Sequence, residues 1–178
     1  TAHVGCWQVA MVALRFLGVP VNLLMQREEG DLDRHFFEHY ESGAPFRIID
    51  PRGYLGGTLE MMGVLKNGEV LSVMGDRMLG SGKNAVTVRF LGGEIPVPYS
   101  SYMVASATGA PMAVLLSRRT GPSRYELHLA GVIRVPHGLG RQGEAYSPYA
   151  RRFTEMLDDY TEKNPFQFFN FYDMWEEG

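Results

Sequence analysis

The stretch TAHVGCWQVAMVALRFLGVPVNLLMQ, residues 1–26, decides the fold class. Its middle part, residues 7–17, reads as a helix that stops at Gly18, with Pro20 just beyond. Residues 21–26 form a short apolar run that is typical of a buried strand. Residues 1–3 resemble the end of a strand, so strand, helix and strand follow one another. This alternation indicates an α/β protein.

The same alternation continues along the chain. Apolar spacing and turn residues predict further helices over 32–41, 58–66, 99–108 and 147–162. They predict strands over 46–49, 69–74, 85–91, 111–117, 124–130 and 132–135. We therefore expect a single domain over residues 1–178, with a mixed, largely parallel sheet flanked by helices. The chain does not begin with Met, so we also expect a native segment before Thr1. The aromatic stretch NPFQFFNFYDMW, residues 164–175, is expected to pack back on the domain.

Composition excludes several classes of function. The 178 residues are 45% hydrophobic and 21% charged, as in an ordinary globular protein. A net charge of −3 gives no basic field for nucleic acid. The single Cys6 excludes an internal disulfide framework, and the scattered histidines give no zinc-ligand spacing, so we expect no metal. No apolar run approaches the roughly 20 residues of a membrane span.

His3 is the first candidate for chemistry. It lies at an expected strand end before a helix, where open α/β sheets bind ligands. A histidine there could accept a proton from a substrate hydroxyl as a general base. Its second ring nitrogen needs an acceptor that selects the tautomer, and Gln8 on the following helix is within reach. The alternative is a half-buried histidine that is bonded only to backbone.

Five blocks in order resemble the lysophospholipid acyltransferase superfamily, most closely the bacterial lipid A biosynthesis acyltransferases. HVGCWQ resembles the histidine block H-x-G-N-W-E, with His3, Gly5 and Trp7 matching and Gln8 in the position of the acid. Asp76 and Gly80 fall on the first Asp and the Gly of a D-x-D-x-G block. The blocks are HVGCWQ (3–8), LLMQR (23–27), LKNGEVLSVMGDRMLG (65–80), the stretch from VRFLGG to PMAVLL (88–116) and NPFQFF (164–169).

The resemblance implies a glycerolipid acyltransferase-like fold and an acyl transfer. His3 would take a proton from an acceptor hydroxyl, which attacks the thioester of an acyl carrier protein or of coenzyme A. Arg27, Asp76, Arg77 and Gly80 would bind the oxyanion or the substrate, with Lys83 in the same glycine-rich loop. The acceptor would be a lipid or glycolipid, and no cofactor would be held. The resemblance also implies the cytoplasmic face of a bacterial inner membrane as the place of action.

Gln8 and the tail depart from the family pattern. An amide orients the imidazole but carries no charge, so three alternatives stay open: a weaker dyad, an acid supplied by Glu28, Glu29 or Asp31, or a non-catalytic lipid-binding relative. The acidic tail lacks the family's basic residues, which leaves lipid A itself in doubt as the acceptor. A serine hydrolase using Ser100 or Ser101 is a further alternative, although neither serine stands in G-x-S-x-G.

Overall fold

The computed structural model describes residues 1–26, 46–78 and 84–175. The chain groups into two compact units. The first joins Thr1–Trp7 to Met74–Gly178, and the second is Gln8–Val73. The sequence predicts one domain, and we describe the two units separately.

The second unit contains a small parallel sheet. Strand β1 lies at its centre and pairs in parallel with β2 on one side and β3 on the other. A short 3-10 turn continues helix α1 as far as Leu17, and Gly18 then turns the chain with φ +68. The elements are α1 (Trp7–Ala13), β1 (Val21–Leu24), β2 (Arg47–Ile49), α2 (Thr58–Lys66) and β3 (Val70–Ser72). The prediction of an α/β protein is therefore confirmed. The prediction of one mixed, largely parallel sheet is wrong, because the described strands form three separate sheets and only this one is parallel.

The first unit is built from antiparallel hairpins and two helices. Strands β4 and β5 pair antiparallel, as do β6 and β7. Helix α4 turns its buried face, with Ala150, Phe153, Leu157 and Tyr160, into the core of this unit. The elements are β4 (Ala85–Phe90), β5 (Gly93–Pro98), α3 (Ser100–Thr108), β6 (Met112–Gly121), β7 (Arg124–Ile133) and α4 (Ser147–Lys163).

Three local expectations differ from the structure. Strand β5 was not predicted because Pro96 and Pro98 interrupt its pattern, yet a two-stranded ladder tolerates proline where no donor is needed. The sequence predicts two strands, over 124–130 and 132–135, whereas β7 runs without a turn from 124 to 133. The β6–β7 ladder has a register shift at this place, between Val114 and Leu115 of β6. Residues 1–3 form no strand, and Val4 makes one isolated bridge with Phe168. The helix expected over 32–41 lies outside the described residues.

The aromatic tail packs on the first unit, as predicted. The Phe168 ring meets Phe90 edge-on with centroids 5.5 Å apart. Met174 is buried in the core, and the Trp175 indole N–H donates to the Phe90 carbonyl over 3.2 Å. The tail thus covers the β4–β5 hairpin. None of the helices within the described ranges is both long and apolar enough to cross a bilayer.

Candidate functional site

An imidazole–carboxylate pair forms the centre of the candidate site. The Nδ1 atom of His3 lies 3.0 Å from both carboxylate oxygens of Asp76. The backbone N–H of His3 also donates to Oδ2 of Asp76 over 3.1 Å. The Asp76 side chain is 0% exposed, whereas that of His3 is 28% exposed. Because a carboxylate only accepts hydrogen bonds, Nδ1 is the donor of this pair, and in a neutral imidazole the lone pair then lies on Nε2.

The backbone around His3 places its ring at the surface. The Val4 N–H donates to the Ala2 carbonyl over 2.8 Å, which closes a three-residue turn with His3 at its centre. Ala2 and Val4 are both buried in the core of the first unit. Two buried neighbours therefore anchor a residue whose side chain is partly open to solvent.

Residues 1–6 form what we call the His3 segment. Ser117, in strand β6, binds the backbone of the last residues of this segment. Its hydroxyl donates to the Val4 carbonyl and accepts from the Cys6 N–H, each over 3.0 Å. Gly5, between these two residues, has φ +57. A Cβ atom on Gly5 would lie 2.1 Å from the Ser117 carbonyl oxygen, so only glycine fits here.

Helix α4 contacts the site at two places, at Ser117 and beside Asp76. The Tyr160 hydroxyl donates to the Ser117 carbonyl over 2.7 Å. Burial raises the pKa of Tyr160 to about 12, against a smaller opposing effect of Arg118. Two turns nearer the start of the helix, the Phe153 ring packs against Gly75, the residue before Asp76. Helix α4 therefore contacts the residue before Asp76 directly, and it contacts the His3 segment through Ser117.

Two residues of the tail hydrogen-bond to the backbone of the His3 segment. The Phe169 N–H donates to the His3 carbonyl over 2.8 Å, and the Gly5 N–H donates to the Gln167 carbonyl over 2.9 Å. The Gln167 side chain accepts from the Arg119 N–H over 2.6 Å and donates to the Arg119 carbonyl over 3.1 Å. The tail thus joins the His3 segment to strand β6.

Arg77 follows the carboxylate and meets the same stretch of tail. Its Nη2 atom donates to the Phe169 carbonyl, and its guanidinium carbon lies 5.6 Å from the centre of the Tyr172 ring. Its Nε atom is buried and has no hydrogen-bond partner among the described residues. Burial raises the pKa of Tyr172, with Arg77 opposing the shift and Asp76 adding to it. His3 and Arg77 therefore both hydrogen-bond to the backbone of Phe169.

A cleft of about 540 Å³ opens beside this segment, a volume within the range of small-molecule sites. Its walls come from the His3 segment, the β6–β7 hairpin and the tail. They are formed by Gly5, Cys6, Arg119, Gly121, Tyr125, Phe166, Gln167 and Phe169.

The structure brings together some of the residues that the sequence singled out. Asp76 contacts His3, although the sequence grouped it with anion-binding residues and placed Gln8 beside the imidazole. Gln8 lies in the first turn of α1 and opens the second unit. Ser100 and Ser101 begin α3. The remaining candidates, Arg27, Glu28, Glu29, Asp31, Gly80 and Lys83, lie outside the described residues.

Three residues of the site were not singled out from the sequence. Ser117 ends an otherwise apolar run, PMAVLLS, and a polar residue at that point is the one local signal it offers. Gln167 is the glutamine of the NPFQFF block, and the resemblance to the family assigned no role to this side chain. Tyr160 reads as an ordinary core position of α4, because its helical spacing is that of Phe153 and Leu157.

Within residues 1–26, 46–78 and 84–175, no group of three or more His, Cys, Asp or Glu side chains could hold a metal ion. Comparison with models of known protein families gives no match for this chain, and no curated protein is significantly similar to it in sequence.

Proposed function

We propose that this protein transfers an acyl chain from a thioester to a hydroxyl group, with His3 as the general base and Asp76 as its carboxylate partner. The single observation that carries the proposal is the His3–Asp76 pair, in which a buried carboxylate holds Nδ1 of a partly exposed imidazole. A carboxylate in that position orients the ring and stabilises the imidazolium that forms. The resemblance in sequence supplies the choice of acyl transfer.

The proposed reaction is a single displacement. Nε2 of His3 takes the proton of the acceptor hydroxyl, and the oxygen attacks the carbonyl carbon of the thioester. The tetrahedral intermediate collapses as the C–S bond breaks. The departing thiolate takes the proton from the imidazolium, so the histidine returns to its starting state. The products are an ester and a free thiol.

The developing oxyanion needs positioned donors. Arg77 is the candidate among the described residues, because it directly follows Asp76 and its Nε atom is buried with no protein partner there. Arg27 and Gly80 remain candidates on the resemblance alone. We further propose a glycerolipid acyltransferase-like fold, a thioester of acyl carrier protein or coenzyme A as donor, and a lipid or glycolipid as acceptor.

We also propose that the protein works at the cytoplasmic face of a bacterial inner membrane. Support comes from aromatic side chains near the cleft that stand in solvent, since Phe166 is 94% and Phe171 is 89% exposed. Exposed apolar groups of this size are typical of surfaces that meet lipid or protein.

The test is transfer of a radiolabelled acyl chain, from acyl carrier protein or coenzyme A, into a total bacterial lipid extract. His3→Ala should abolish transfer, and Asp76→Asn should lower it about 10²–10⁴-fold. The one acceptor oxygen of Asn is also needed by the His3 backbone N–H, and an amide NH₂ that then faces Nδ1 favours the wrong tautomer. Asp158→Asn is the matched control, because its Oδ1 accepts from the Leu91 N–H, away from His3 in the chain, and an amide oxygen still accepts there.

Full activity in His3→Ala contradicts the proposal. The alternative, a non-catalytic lipid-binding relative, was raised because Gln8 stands in the acid position. It predicts no turnover in any variant, with retained binding of labelled lipid. Gln8→Glu tests the weaker dyad: a rise in transfer assigns Gln8 a part in it. With an unchanged rate, the loss expected in Asp76→Asn assigns the acid to Asp76 rather than to Glu28, Glu29 or Asp31.

A further inference from the structure

We infer that Ser117 is a positioning residue for His3. It does not touch the imidazole. Its hydroxyl bridges the two peptide groups on either side of Gly5, taking the carbonyl of Val4 and the N–H of Cys6 at 3.0 Å each. These groups flank the only point in residues 1–6 where the backbone has positive φ. One side chain thus holds the bend that follows the histidine.

The bridge uses the single donor of the Ser117 hydroxyl and one of its two acceptor lone pairs. Because one oxygen makes both bonds, the Val4 carbonyl and the Cys6 N–H are held in fixed positions relative to each other. The Ser117 side chain cannot swing away, since the residue is 3% exposed and its own carbonyl accepts the Tyr160 hydroxyl over 2.7 Å. Hydrogen bonds therefore connect Tyr160 in α4 to Ser117, and Ser117 to Val4, without a break.

The position of the imidazole depends on this bend. The turn centred on His3 is closed by the N–H of Val4, the residue whose carbonyl Ser117 holds. Without the hydroxyl, the bridge between the Val4 carbonyl and the Cys6 N–H is lost, and the buried Val4 carbonyl favours a shift of the segment toward another donor. A shift of about 1 Å in a reacting group costs up to about 10²-fold in rate.

The chain contains a matched control for this role. Ser106, in α3, is also buried, donates to the Pro136 carbonyl over 2.6 Å and accepts from the Leu139 N–H over 3.1 Å. Ser117→Ala and Ser106→Ala therefore remove the same chemistry from the same unit. Only the former touches the segment that carries His3.

The experiment compares these two variants by NMR and by kinetics. The Nδ1–H proton resonance of His3 is identified as the imidazole signal lost in His3→Gln. We expect Ser117→Ala to move or broaden this resonance, and Ser106→Ala to leave it in place. In the acyl transfer assay, Ser117→Ala should lower kcat about 10–100-fold with KM changed less than about twofold, and Ser106→Ala should leave both unchanged.

If Ser117→Ala does not fold, Ser117→Cys keeps the shape with a weaker donor and acceptor, and should give a smaller shift of the same resonance. An unmoved resonance in a folded Ser117 variant overturns the inference, as does an equal effect of Ser106→Ala. The kinetic arm rests on the proposed function, whereas the NMR arm does not. Full transfer in His3→Ala would therefore refute the function and still leave the positioning role to be judged by the resonance.

Discussion

Gly5 shows how much one residue contributes to this site. Its φ of +57 lies in the left-handed region, and a Cβ atom there would overlap the Ser117 carbonyl. The close approach of two backbones is what allows the Ser117 hydroxyl to reach the groups on both sides of Gly5. The resemblance to a family block marks this glycine, and the structure supplies a physical reason for it.

We expect Gly5→Ala to lower the free energy of unfolding more than Gly138→Ala. Gly138 also has positive φ, +79, yet an added Cβ there meets nothing within 4 Å. The control therefore carries the conformational cost alone, about 1–2 kcal/mol. Gly5→Ala adds the cost of overpacking, about 1–3 kcal/mol more. Urea unfolding measures both, and equal losses would contradict the assigned contact.

At the level of elements, the tail makes hydrogen bonds to two neighbouring parts of the first unit. Gln167 pairs with Arg119 through its side-chain amide, which supplies one acceptor and one donor to the backbone of β6. Its own carbonyl accepts the Gly5 N–H, and the Phe169 N–H donates to the His3 carbonyl. The tail therefore connects β6 with the His3 segment through hydrogen bonds on both of its sides.

We expect Gln167→Ala to loosen this connection without unfolding the unit. Loss of the amide leaves the Arg119 peptide groups to water, at a cost of about 0.5–1.5 kcal/mol. Hydrogen exchange at the amides of Arg119 and Gly5 should become faster, while the amides of β4 stay protected. Gln142→Ala serves as the control, because Gln142 precedes the 3-10 turn at Gly143–Tyr146 and contributes no side-chain cap. Unchanged exchange at Arg119 would refute the connection.

For the molecule as a whole, buried tyrosines make the free energy of unfolding depend on pH at high pH. Burial raises the pKa of Tyr160 from its usual 10.0 to about 12, and burial also raises the pKa of Tyr102. The neutral phenol is thus favoured in the folded state. Its contribution to stability is fully present below the unfolded pKa and is lost as the pH rises through the folded pKa.

We therefore expect the free energy of unfolding to fall between about pH 10 and 12. Tyr160→Phe should lower stability at neutral pH, since it removes the hydrogen bond to Ser117, and should make the fall above pH 10 shallower. The control is Tyr125→Phe, at an exposed position of the cleft. Urea titrations at several pH values measure the slope, and an identical slope in the wild type and Tyr160→Phe would contradict the assignment.

The sequence by itself determined most of the local elements, and it named His3 as a candidate. Apolar periodicity is a local property, so α2, α3 and α4 lie within one residue of where it predicted them. The likeness of HVGCWQ to a histidine block singled out His3, and the chemistry of imidazole supplied its expected role.

Only the tertiary structure decided which side chains meet His3. Asp76 is 73 residues away in the chain and Ser117 lies 113 residues from Val4. A polar side chain shows in the sequence that it needs a partner, but not which one, because the partner depends on how distant segments are folded together. The same reason explains β5, whose pairing with β4 outweighs the prolines in its pattern. The local sequence pattern therefore predicted most helices and strands, whereas long-range packing decided which residues meet in the candidate site.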